Sequence, residues 1–322
     1  MTTSNIILGL GLCVALGACG DVETFESEVH GGSVDVAADP DDDGQAAFAC
    51  EAVDILFVVD NSPSMADEQQ NLVEAVPGFV DAMRRAFPEI KSVHIGVVDT
   101  DAYPAIGTDP EHPLQSCPEG VDCSQCDYTL GALVAGPFSG SVPGESCEFS
   151  TGGRFMDAAS DNFEAEFACA VTVGTEGNPV ERPAEALVTA LDADMSGVGE
   201  CNEGFLRDEA RLVTVIVSDE EDDHRQLGGS TGDPEAWYAA VAAAKGGRTD
   251  EIVALGLLGG APKFDDCAEK STGNDGAELT PRLVTFIEQF EHGHVGSVCG
   301  NGYDGFFRQA LAAVEESCTV TQ

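Results

Sequence analysis

The stretch "VDILFVVDNSPSM", residues 53–65, decides the fold. An apolar run, Ile55 to Val59, gives way at once to Asp60, and two hydroxyls follow at Ser62 and Ser64. A run without polar alternation marks a central strand covered on both faces. The next residues, "MADEQQNLVEAVPGFVDAMRRAF", place apolar side chains at helical spacing, with Pro77 expected to bend the helix. Asp60 therefore stands at the carboxyl end of a buried strand, where the chain turns into a helix. In an open α/β sheet that edge is where ligands bind.

The same signature recurs in "RLVTVIVSD", another apolar run ending in an acid, Asp219. Carboxylates and hydroxyls are hard oxygen donors, suited to Mg²⁺, Mn²⁺ or Ca²⁺ and poorly suited to soft metals. The free N–H groups of a helix start would orient them. The plainer alternative makes Asp60 a helix cap, with Ser62 and Ser64 as ordinary first-turn residues.

Strands and helices alternate from residue 50 onward. "KSVHIGVVDT", "EIVALGLLG" and a short "HVGSVC" read as further strands. "NFEAEFACAVTV", "ERPAEALVTALDAD" and "GFFRQALAAVEESC" read as helices. So do "DPEAWYAAVAAAK", capped by Asp233 with Pro234 in first position, and "TPRLVTFIEQF", with a Thr cap and a Pro start. This order implies an α/β fold: a doubly wound, mostly parallel sheet flanked by helices. Residues 102–160 break the alternation and read as a disulfide-stapled insertion with a strand near "GALVAG".

The "DNSPS" motif and the second acid-ended strand resemble the von Willebrand factor type A (VWA) family over about residues 50–318. The resemblance implies a metal-ion-dependent adhesion site with Asp60, Ser62 and Ser64 in matching places and Asp219 as the later carboxylate. It also implies a threonine from a separate loop: Thr175 in "VGTEGNPVERPAEA", with Thr172 competing, and Glu181 as a water-mediated contact. Glu220 stands where the family often has Gly. By the same resemblance, few carboxylates touch the cation, and an acidic side chain of a protein ligand completes its coordination without any bond being made or broken.

The chain has 322 residues, 43% hydrophobic, with 58 acids against 14 bases and a formal net charge of −44. Nucleic acid is disfavoured as a partner, because phosphate binding needs basic clusters. Cations, basic partners or solubility in salt are favoured. Residues 6–18, "IILGLGLCVALGA", have the length of a signal-peptide core, and "LGAC" resembles a lipobox. We expect residues 1–18 to be a lipoprotein signal peptide, although no Lys or Arg precedes Arg84. Cys19 would then be the lipidated residue, residues 19–49 an acidic tether, residues 50–322 the VWA-like domain, and the outer membrane or cell surface the location. The tether's "DPDDDG" matches half a calcium loop, but Cys50 falls where its last ligand would be.

Ten cysteines lie beyond Cys19, an even number that in an exported chain reads as a disulfide framework. Cys50 precedes the first strand and Cys318 ends the last helix, which runs back against the strands. Both should lie below the sheet, within reach of each other. Neighbourhood suggests Cys169–Cys201 and Cys267–Cys299. The insertion holds Cys117, Cys123, Cys126 and Cys147, for which disulfides are a better reading than zinc. "HGH", His292 and His294, lacks a third zinc ligand. The run "SDEEDDH" reads as a solvated loop, or as a widened cation surface beside Asp219.

No G-x-S-x-G elbow, phosphate-binding G-x-x-x-x-G-K-[ST] loop or dinucleotide G-x-G-x-x-G turn is present. A phosphoaspartyl enzyme would want Asp at position 62, which is Ser. The expectation is a non-enzymatic, metal-dependent adhesion protein. Its competitors are a structural envelope lipoprotein with a vestigial metal site and a hydrolase with its metal in the acidic run.

Overall fold

β2, Ala52–Val59, is buried along its whole length. Its alternate side chains feed two different cores, because successive residues of a strand point to opposite faces. Val53, Ile55, Phe57 and Val59 join one cluster, and Leu56 and Val58 join the other. That two-sided burial is why the run reads as continuously apolar. The structure is a computed structural model that describes residues 47–48, 50–100, 124–135, 146–175, 177, 181–222, 230, 232–260, 276–300 and 302–320. The expected leader, Cys19, nearly all of the acidic tether, Cys117, Cys123, Cys267 and Asp223 lie outside the described residues.

β1 is Ala47–Phe48, and α1, Ala66–Ala86, follows β2 with Pro77 inside it. Next come β3, Ser92–Asp99, the insertion, and β4, Met156–Asp157. Then follow α2, Phe163–Val171; α3, Pro183–Ala190; and α4, Ala193–Ser196. The rest is β5, Arg211–Ser218; α5, Pro234–Ala244; β6, Ile252–Leu258; α6, Pro281–Ile287; β7, His292–Ser297; α7, Asp304–Cys318; and β8, Thr319–Val320. The main sheet has the order β4-β3-β2-β5-β6-β7, parallel except for β4. α1, α2 and α7 pack together on one face and α3, α5 and α6 on the other. The sheet is therefore doubly wound, as the VWA resemblance implies. The chain builds outward from β2 to one side and then restarts at β5 on the other, so the topological switch point lies between β2 and β5.

The two ends of this unit meet below the sheet. Cys50 and Cys318 are joined, closing 268 residues, and β1 pairs antiparallel with β8 beside the bond. Cys169 and Cys201, expected to bond each other, instead take insertion partners: Cys147–Cys169 and Cys126–Cys201. The reason is positional, since the insertion folds back over β3 and reaches both α2 and the loop after α4. Cys126 and Cys147 are therefore no zinc thiolates. Cys299 is also disulfide-bonded.

No strand forms over the described residues 131–135 of "GALVAG". Val134 N–H bonds the Val97 carbonyl of β3. Around it, side chains take the backbone groups a ladder would use. Asn202 accepts from Leu133 N–H and donates to the Gly131 carbonyl, while Arg154 donates to the Leu133 carbonyl. Leu133 packs so close to Gly96 that a Cβ there would stand 2.5 Å from it. The insertion is thus anchored to the sheet edge.

Breaking the Cys50–Cys318 bond by the double change Cys50→Ala, Cys318→Ala should lower stability by up to ~5 kcal/mol in the chain-entropy model. Chemical denaturation of the variant against the parent measures it, with peptide mapping under non-reducing conditions as the control. An unchanged midpoint would show that the ends are held without it.

Candidate metal centre

The register β2–β5 sets the site. Val59 pairs with Val217, and Asp60 N–H bonds the Val217 carbonyl at 3.0 Å. Asp60 therefore leaves β2 opposite Ser218, with Asp219 one residue further along β5. Both acids lie at the switch point, where the crevice of an open α/β sheet opens. Asp60 is 0% exposed, Ser62 1% and Asp219 2%, so the carboxylates form the floor of the site. Ser64 and Thr175 are half-buried and Pro63 is exposed.

The Asp60 carboxylate is held at both oxygens. Ser62 N–H donates to Oδ1 at 2.7 Å, and the Ser218 hydroxyl donates to Oδ2 at 2.6 Å. Ser218 Oγ also accepts Glu220 N–H at 3.0 Å, which turns the chain after Asp219 without the glycine. Ser62 Oγ and Ser64 Oγ lie 3.1 Å apart. Glu278 N–H donates to the Asp219 carbonyl at 2.8 Å, tying Asp219 to the segment before α6.

A second loop closes on the first. The Thr172 hydroxyl bonds the Ala168 carbonyl and so finishes α2. Its proton is taken by the helix, which favours Thr175 over Thr172 as the loop threonine that the resemblance implies. The neighbours of Thr175 are fixed to the Asp60 loop: Gln69 Nε2 donates to the Asp60 and Gly174 carbonyls, and Gly177 N–H donates to the Asn61 carbonyl. A Cβ on Gly177 would fall 2.2 Å from Asn61 Oδ1, so any other residue here would displace the Asn61 side chain. Buried Thr100, at the end of β3, bonds both Asn61 Oδ1 and Glu181, which places Glu181 in a polar cluster behind the loop. Gln69, Asn61, Thr100 and Ser218 were not singled out from sequence. Ser218 alone carried a signal, as the polar residue ending an apolar strand.

The described part of the acidic run, up to Asp222, is not solvated loop. Glu221 and Asp222 are buried. The Glu221 carboxylate accepts from Arg282 N–H and Leu283 N–H in the first turn of α6. Asp222 Oδ2 accepts from Ala184 N–H and Glu185 N–H at the start of α3. Each acid meets the positive end of a helix that begins with proline. The expected Thr280 cap of α6 does not form, because its hydroxyl goes to the Gly259 carbonyl. Asp233 caps α5 as expected, accepting from Ala236 N–H.

Burial, and then the Asp219 charge, push the Asp60 carboxyl up from 3.8 to about 7, against the Ser218 and Ser62 hydrogen bonds. Glu68, in the first turn of α1, is raised to about 8 by burial and by neighbouring Asp67 and Asp219. The groups brought to this edge are two buried carboxylates, the adjacent hydroxyls of Ser62 and Ser64, and the loop that carries Thr175. They fit a hard divalent cation, whose charge would offset that repulsion. No group of three or more His, Cys, Asp or Glu side chains that could hold a metal occurs among the described residues, so hydroxyls would have to share the coordination. His292 and His294 instead face α7, His294 stacking on Phe306 and His292 Nδ1 lying 3.9 Å from Glu316.

No family model matches this sequence, and no curated protein matches it. Among solved structures it is similar to proximal thread matrix protein 1 from the mussel byssus, at 12% identity over 85% of this chain and 50% of that one, with a TM-score of 0.41. A second structure of that protein, with a zinc-occupied MIDAS motif, gives 12% identity, the same two coverages and a TM-score of 0.40. The chain spans about half the length of the solved structures it matches.

Between pH 3.8 and about 7 the folded protein keeps a proton on Asp60 that the unfolded chain has released. Metal-free stability should therefore fall as pH rises through that window, with Glu68 extending the fall to about pH 8. Asp60→Asn keeps the shape without the charge. It should raise metal-free stability at neutral pH, on the order of 1–4 kcal/mol, and flatten the slope. Denaturant titrations of both forms across the window measure this, and equal slopes would contradict it.

Proposed function

We propose that this chain is a divalent-cation-dependent protein-binding module, non-enzymatic and held at the outer membrane or cell surface by a lipid on Cys19. The observation that carries the reading is the meeting of Asp60 and Asp219, buried side by side at the switch point with the Ser62 and Ser64 hydroxyls beside them. Asp60, Ser62, Ser64, Thr175 and Asp219 would hold Mg²⁺, or Mn²⁺ or Ca²⁺. The cation's chemistry would be an open, electrophilic position for one acidic side chain of a protein ligand. With only two carboxylates among the donors and hydroxyls as the rest, the cation would stay Lewis-acidic enough to take a further carboxylate oxygen.

The chain's own residues support binding without turnover. Asp60 is fixed at both oxygens by Ser62 and Ser218, which orients it as a ligand. The two buried acids of the run after Asp219 serve helix starts, which removes the donor set that a hydrolase in that loop would need. The insertion leaves β3 at the same edge as the site, so we assign ligand specificity to it. The lipid reading rests on "LGAC" and the apolar segment before it. Among the described residues, no helix is long and apolar enough to cross a membrane.

At fixed high NaCl, where diffuse screening is saturated, saturating Mg²⁺ should raise Tm on the order of 5–10 °C over chelator. Asp60→Ala and Asp219→Ala should each erase that rise. Capture from envelope extract should retain a protein in Mg²⁺ that chelator releases and that the Asp219→Ala form does not hold. A full Mg²⁺ shift in both variants would move the cation elsewhere. Capture that ignores chelator would leave a structural lipoprotein with a vestigial site.

A further inference from the structure

We infer that Gln69 is a positioning residue of the metal centre, its carboxamide setting the Thr175 loop against the Asp60 loop. The inference deepens the metal-binding reading above and rests on it.

Gln69 lies in the first turn of α1, its own N–H bonded to the Met65 carbonyl, so the helix fixes its Cα. The side chain is 3% exposed and turns back toward the end of β2. A primary carboxamide has two N–H donors. Gln69 spends both on main-chain carbonyls: Asp60 at 3.1 Å and Gly174 at 2.7 Å. Those carbonyls belong to loops that are remote in sequence and carry different ligands. The Gly177 N–H to Asn61 carbonyl bond, 3.0 Å, ties the same two loops at a second point. Thr175 lies between the two ties. Just before it, Gly174 has φ +89°, a left-handed turn that glycine accepts readily. The loop thus departs sharply from α2 and returns across Asn61, fixed on both sides of the one residue whose hydroxyl the cation would need.

The energetic argument is preorganisation. A loop ligand stabilises a bound cation only after subtracting the cost of ordering the loop. Two ties made before binding remove that cost, and residues that orient ligands from behind typically change metal affinity by roughly 10–100-fold when lost. An ordinary structural role, satisfying two buried carbonyls, would lower stability without singling out Thr175.

The test is Mn²⁺ affinity of the full chain, read from the free-Mn²⁺ EPR signal at fixed high NaCl. The proteins are the parent, Gln69→Met, Thr175→Ala and the double variant. Methionine matches the length of glutamine and donates nothing. Gln69→Met should weaken Mn²⁺ binding roughly tenfold, Thr175→Ala should weaken it as well, and the double variant should bind no more weakly than Thr175→Ala alone. Gly177→Ala, whose Cβ would crowd the Asn61 side chain beside the second tie, should show the same loss and the same lack of additivity with Thr175→Ala. Gln69→Leu, which also donates nothing, decides the matter if Gln69→Met does not fold. Parental affinity in Gln69→Met, or losses that add to that of Thr175→Ala, would overturn the coupling. If Asp60→Ala also binds Mn²⁺ with parental affinity, the metal-centre reading itself fails, an outcome distinct from failure of the coupling alone.

Discussion

Two carboxylates, Asp60 and Asp219, are buried together at the ends of adjacent parallel strands, and the site depends on how that repulsion is managed. The sheet cannot avoid the encounter. β2 and β5 pair residue for residue up to Val59 and Val217, so the two strands deliver their acids to the same edge one residue apart. Burial disfavours charge, and a neighbouring carboxylate disfavours it further. The Ser218 hydroxyl and Ser62 N–H reduce that penalty for Asp60 and leave its carboxyl still raised. A native protein keeps such an arrangement only when something offsets it. The offset that fits two carboxylates and several hydroxyls is a hard cation.

The other buried acids show the partners this fold supplies to a carboxylate. Asp54, at the opposite end of β2, accepts from Arg207 N–H and from the guanidinium. Glu221 and Asp222 each receive two helix-start N–H groups. Glu166 takes Ser150 N–H and the Ser160 hydroxyl. Asp60 and Asp219 differ in being placed against each other. The net charge of −44 therefore has at least two components, a solvated surface and acids doing internal work at helix starts and in the sheet.

Much of this was legible in the sequence because it depends on periodicity and end positions. The apolar runs of β2 and β5 gave the central strands and their terminal acids. The direction of α7 relative to β2 was enough to join Cys50 to Cys318. The rest depends on contacts that no local pattern encodes. Gln69 looks like any polar residue near a helix start, and its role appears only when a loop 105 residues away meets it. Glu221 and Asp222 sit in a run that resembles solvated loop, because the helix starts that bury them arrive from residues 183 and 281. The insertion cysteines allowed several pairings, and the choice followed from how the insertion lies over β3. At "GALVAG", a β-like pattern was overridden by Asn202 and Arg154, which claimed its backbone groups.

The central claim is that one cation sits between the ends of β2 and β5. The most direct measurement is anomalous diffraction from crystals of the full chain grown with Mn²⁺. The account predicts a single Mn²⁺ peak bridging the Ser62 and Ser64 hydroxyls between Asp60 and Asp219, with at least one coordination position open to solvent or to an acidic side chain. A crystal with saturating Mn²⁺ and no peak there, or with the peak elsewhere and the Asp60 carboxyl still bonded only to Ser62 and Ser218, would contradict it.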